Sequence, residues 1–157
     1  SKPTRRTAMS YSKIYVFDGV ATPAPIKITR GDTGDHNFAL WHTDSRGEKV
    51  EPFDLTDYTF AMQVRPFAGS DEVKIDVPET AFSVSQDQEA ADWEEEKEDV
   101  QNRQNLLNVK IPKSLTEINA GDWFYDIEFY PPNTDPEEKY TYAGGPYIVI
   151  QDITISE

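Results

Sequence analysis

The chain has 157 residues, 37% hydrophobic and 12% aromatic, which suits one domain burying roughly two thirds of its unfolded surface. It has no Cys and only two His, which excludes disulfides and thiolate chemistry and leaves few soft ligands for zinc. The formal charge of −14 is uneven: six Lys or Arg oppose one acid, Asp18, in residues 1–30, so the remaining body carries −19 and should repel a phosphate backbone.

Residues 1–25 read as a basic arm or linker. Within them Ile14-Tyr15-Val16-Phe17 forms a short strand outside the main body, and Ala21 to Pro25 is a linker with two prolines. SKPTRRTAMS lacks the apolar segment of a secretory signal. No apolar run approaches the roughly 20 residues that cross a bilayer, so membrane insertion is not expected.

The main domain is expected over residues 26–157. Ile26 and Ile28 open it, Phe38 to Trp41 extend it, and Asp44-Ser45-Arg46-Gly47 is a hairpin turn. Tyr58, Phe60, Met62 and Val64 alternate with Thr59, Gln63 and Arg65 in a half-buried strand that stops at Pro66. Val73, Ile75 and Val77 make another strand, and Phe82 with Val84 a short one. Residues 86–105 are an acidic insertion with eight acids against Lys97 and Arg103. With Trp93 and Val100 as its large apolar residues, the expectation is a solvated loop bearing a short helix near 90–99. Leu107, Val109 and Ile111 restore the strand rhythm, and residues 114–118 form a short helical turn.

The stretch from Gly121 to Ile155 is the clearest. Trp123, Tyr125, Ile127 and Phe129 share one face of a strand. A turn rich in Pro, Asn and Asp follows, and Tyr140 to Ile150 returns through Gly144-Gly145-Pro146. The fold class is therefore all-β: a sandwich of about seven or eight antiparallel strands. Its core should include Ile28, Leu40, Phe60, Met62, Val64, Ile75, Val109, Trp123, Tyr125, Ile127 and Val149.

No motif assembles a reaction. Asp122, Asp126 and Glu128 lie opposite the apolar face of their strand, and nothing nominates a glycosidase pair. Asp32, Asp35 and His36 sit close in sequence but lack a calcium-loop pattern. Asp32-Thr33-Gly34 resembles half of an aspartic protease site, which needs a second carboxylate element. Neither His36 nor His42 has an identifiable nucleophile and orienting acid. The chain is read as non-enzymatic and without a cofactor. Phe124 and Tyr130, opposite the core row, are candidates for covering by another subunit, by the chain itself, or by a glycan.

Three landmarks carry a resemblance. They are Ile28-Thr29-Arg30-Gly31-Asp32-Thr33; the run from Phe53 to Arg65, with Asp54-Leu55-Thr56-Asp57 leading into a strand that ends in Arg; and Ala120-Gly121-Asp122-Trp123-Phe124-Tyr125-Asp126-Ile127-Glu128, followed by Tyr142-Ala143-Gly144-Gly145 and Asp152-Ile153-Thr154. In this order they resemble the N-terminal immunoglobulin-like domain of tailed-phage baseplate upper proteins and related virion adaptors. Asp57 stands where that family often has Gly. The resemblance implies an immunoglobulin-like sandwich made in the host cytoplasm and built into a virion, in contact with other virion structural proteins and repeated in a symmetric homo-oligomer. Lys2, Arg5, Arg6, Lys13, Tyr15, Phe17, Phe124 and Tyr130 are the expected protein-binding residues. The alternative is a carbohydrate-binding or host-receptor-recognition module.

Overall fold

The computed structural model describes residues 7–133 and 138–151, and places eleven strands among them in two sheets. The first sheet runs, in spatial order, β2 (Val20–Ala21), β1 (Thr7–Phe17), β4 (Thr33–Thr43), β9 (Leu106–Ile111) and β8 (Phe82–Ser85), with β5 (Lys49–Pro52) also paired to β4. The second runs β3 (Ile26–Thr29), β11 (Tyr140–Ile150), β10 (Gly121–Tyr130), β6 (Thr59–Arg65) and β7 (Ile75–Asp76). Two helices, α1 (Gln88–Glu96) and the single turn α2 (Lys113–Thr116), complete the elements used below.

Period-two alternation builds the core. Phe38 and Leu40 of β4, Val109 of β9, Met62 and Val64 of β6, and Tyr125, Ile127 and Phe129 of β10 are fully buried where the inner faces meet. Phe60 and Trp123, expected inside, are only partly buried against this core. The Asp44–Gly47 turn closes as expected, with the Gly47 amide donating to the Asp44 carbonyl at 3.0 Å. Asp57 has φ +63°. That left-handed backbone suits Gly and tolerates Asp.

The structure departs from the expected antiparallel sandwich in three places. Both sheets are mixed: β1 pairs in parallel with β4, and β3 in parallel with β11. The expected arm is, from Thr7 onward, the strand β1 of the first sheet. Burial of Ile14 and Val16 explains why: they extend the apolar inner face, and an arm would leave both in water. The strand expected around Val73 to Val77 shortens to β7, and Val73 is exposed.

The acidic insertion is also corrected. It is tied to the first sheet rather than simply solvated. Asp87 caps α1 by accepting from the Ala90 amide at 2.8 Å. Trp93 meets the fully buried Trp41 edge-on, ring centroids 6.3 Å apart. Glu89 takes Lys13 at 3.0 Å and also Lys49, so the helix clips β1 and β5 together.

Candidate protein-interaction surface

β1 and β2 form a hairpin around Asp18-Gly19, with φ +51° and +76°. Positive φ at both central residues is the two-residue turn whose twist matches paired strands. The tight turn leaves Phe17 47% and Val20 71% exposed. The following linker is fixed to the second sheet: the Ala24 amide donates to the Gly144 carbonyl at 2.9 Å, and the Tyr125 hydroxyl donates to the Ala24 carbonyl. Gly145 beneath the linker has φ +139°, a backbone conformation that favours glycine.

Two shallow depressions flank this strap and share Ala21 and Thr22. One, of about 360 Å³, is lined by Tyr15, Phe17 and Val20 together with the Thr43–Gly47 turn. The other, of about 330 Å³, is lined by Pro23, Phe124, Tyr142 and Pro146. Phe124 and Pro146 are cross-strand partners on the outer face of the second sheet. The fold thus brings Tyr15, Phe17 and Phe124, far apart in sequence, to one side of the molecule.

The other expected residues do not join them. Lys13 is engaged with Glu89. Tyr130 is half-buried at the far end of β10, opposite Thr59, and its hydroxyl donates to Glu128. Lys2, Arg5 and Arg6 lie outside the described residues. Sequence reasoning missed Val20, Pro23 and Pro146. The Asp18-Gly19 dipeptide between apolar residues was the available signal for the hairpin that presents Val20.

The tempting polar residues have structural duties. His36 is fully buried; its Nδ1 lies 2.8 Å from Ser10 Oγ, and its ring meets Tyr147 edge-on. Burial pushes its pKa down to about 4 against the pull of Asp35. His42 stacks on Phe53 with centroids 4.2 Å apart. The Asp32 carbonyl accepts from Thr116 Oγ1 at 2.6 Å, joining the β3–β4 turn to α2. Among the described residues no group of three or more His, Asp or Glu side chains is placed to hold a metal ion.

No protein-family model matches the chain, and no curated protein matches it. In shape it has a weak similarity to the N-terminal domain of phage TP901-1 ORF48: 12% identity, 89% of this chain and 98% of that one, TM-score 0.44. A cysteine protease inhibitor from Entamoeba histolytica, EhICP2, is also similar at 12% identity, 90% of this chain and 97% of that one, with TM-score 0.32. Similarities at this level assign no residue a role.

Proposed function

We propose that the protein is a non-enzymatic structural component of a phage virion, a baseplate, collar or decoration adaptor that works through protein contacts. The observation that carries this reading is the apolar surface of Phe17, Val20, Pro23, Phe124 and Pro146, set on both sheets and braced by the Ala24 hydrogen bonds. Rigid presentation of apolar side chains lowers the ordering cost of association. The three sequence landmarks support the virion setting and an elaborated immunoglobulin-like sandwich. The depression beside Phe124 offers the hydroxyls of Thr22, Thr141 and Tyr142 but no carboxylate, amide or cationic side chain, a thin polar set for a sugar, which favours protein over glycan.

The test is incorporation into particles. Removing residues 1–25 would delete β1 and the core residues Ile14 and Val16, so point changes are the cleaner probe. The double variant Phe17→Asp/Val20→Asp changes exposed side chains alone. We expect it to stay folded, with the unfolding midpoint lowered only slightly by the two Asp that face each other across the turn, and to be lost from purified virions. Wild-type incorporation would reject this surface as the attachment site.

A further inference from the structure

The outer face of the second sheet carries a carboxylate that the fold leaves without a mate. Phe124, Asp126, Glu128 and Tyr130 alternate along β10 with the buried Tyr125, Ile127 and Phe129, so these four point away from the core. All four are half-buried. Glu128 is engaged: it holds Lys139 at 3.3 Å and accepts from the Tyr130 hydroxyl. Asp126 takes no hydrogen bond from any described residue. Arg65 of β6, opposite Phe124, attracts it, but that guanidinium donates to the Ser70 carbonyl at 2.8 Å and to Gln63. Burial outweighs the pull of Arg65 and Lys139 and holds the Asp126 carboxyl above its ordinary pKa, with Glu128 pushing the same way.

Room beside this carboxylate is built into the strand pairing. The cross-strand partner of Asp126 on β11 is Gly144, and on β6 it is Gln63. A Cβ at Gly144 would lie 3.8 Å from the Asp126 Cβ, so the missing side chain leaves that flank of Asp126 open. Just beyond this pair the register between β10 and β11 shifts after Ile127, an irregularity of the kind that re-aims side chains. Gly144 and Phe124, the two neighbours of Asp126 on this face, both line the depression of about 330 Å³. Asp126 therefore borders it.

We infer that Asp126 receives an arginine side chain of a neighbouring virion protein, whose guanidinium lies on the Phe124 ring and enters the depression over Gly144. A planar guanidinium meets both demands of the place at once: its fork pairs with a carboxylate, and its face stacks on an aromatic ring. Arginine is also the cation enriched at protein interfaces. No Lys or Arg lines the depression, so the incoming charge meets no like charge there. The net charge of −14 draws a basic surface towards this protein. The inference rests on the attachment reading and deepens it by naming what the partner offers.

The test titrates N-acetylarginine amide into the purified full chain and follows the backbone amides by NMR, with N-acetylcitrulline amide as the uncharged isostere. Saturable shifts are expected at Phe124, Asp126, Gly144 and Gly145, with the arginine compound binding about tenfold tighter than the citrulline one. Asp126→Asn should remove that preference without lowering the unfolding midpoint, because it deletes a desolvated charge. In particles the same variant should reduce incorporation about tenfold. Absence of saturable shifts, equal binding of the two amides, or an arginine preference that survives Asp126→Asn overturns the inference. Saturable shifts at these amides with N-acetylglucosamine and none with the arginine compound would overturn it in favour of a glycan. Wild-type incorporation of Asp126→Asn also overturns it; if Phe17→Asp/Val20→Asp is lost from the same particles, attachment through Phe17 and Val20 stands without it.

Discussion

Arg103 Nη1 lies 2.8 Å from Glu94 Oε2, in a pair whose members are 6% and 1% exposed. The same carboxylate accepts from Gln86 Nε2 and from the backbone amides of Gln101, Asn102 and Arg103. The other guanidinium nitrogen reaches Asp99 at 2.7 Å and Glu51 at 3.3 Å. Burial alone would raise the Glu94 pKa; the hydrogen bonds from Gln86 and Arg103 outweigh it and bring it down to about 2. This knot ties α1 to the segment that follows it within the insertion and, through Glu51, to β5.

Arg103→Met should therefore destabilise the protein by about 3–5 kcal/mol, because it leaves a buried carboxylate without its cation. The double variant Glu94→Gln/Arg103→Met should recover part of that loss, since no charge is then stranded. Urea unfolding of the wild type, Arg103→Met, Glu94→Gln and the double variant measures the coupling. Additive losses in the double variant would show that the pair does not act as a unit.

Acid should weaken the fold in two successive windows. His36 binds its proton less readily folded, at about 4, than unfolded, at 6.5. Its contribution is complete above pH 6.5 and falls away as the pH drops towards 4, a loss on the order of 3 kcal/mol. His42, lowered by burial, acts in the same sense. Glu94 is likewise depressed, so its stabilisation is complete above the ordinary carboxylate range and is lost as the pH falls towards 2. Asp126, raised by burial, works in the opposite direction. Stability measured by urea unfolding from pH 8 to 3 should show the upper window, and His36→Leu should flatten it. An unchanged slope in that variant would remove His36 as its source.

Strands whose two faces differ were legible in the sequence, because alternation is a local signal: Tyr125, Ile127 and Phe129 needed no knowledge of their neighbours. The parallel partners of β1 and β3 were not. A parallel pair has no hairpin to announce it, and Ile14 and Val16 read equally well in an arm until β4 lies beside them. Glu94 was hidden by its neighbours Glu95 and Glu96, since its burial is decided by Arg103 nine residues later. For the candidate surface, the residue types of Tyr15, Phe17 and Phe124 were visible. Their proximity was not, because it depends on the linker crossing β11 at Gly144 and Gly145.

Trp123 and Phe129 occupy the same face of β10 but differ in burial, and their truncations should differ accordingly. Read from sequence, Trp123→Ala would be a full core truncation. In the structure the ring is half-buried at the start of the strand, with its indole N–H donating to the Asn119 carbonyl at 2.8 Å. Phe129 is fully buried between Phe60 and Tyr142. Phe129→Ala should cost about 3–5 kcal/mol and Trp123→Ala about 1–3 kcal/mol. Equilibrium unfolding checks the order; a larger loss at Trp123 would contradict the packing described.

Gly19 offers a way to separate positioning from contact chemistry at the proposed attachment surface. Its φ of +76° favours glycine, and an added Cβ would meet nothing within 4 Å, so substitution penalises the backbone alone. Gly19→Val should disfavour the tight turn by about 1–2 kcal/mol while leaving Phe17 and Val20 chemically intact. Global stability should fall by no more than that amount, because the hairpin buries little beyond Val16. If attachment requires Phe17 and Val20 at a fixed separation from Pro23 and Phe124, particle incorporation falls along with the turn. Incorporation at the wild-type level, with the turn shown by NMR amide shifts to be rearranged, would mean that the apolar residues bind without a preset geometry.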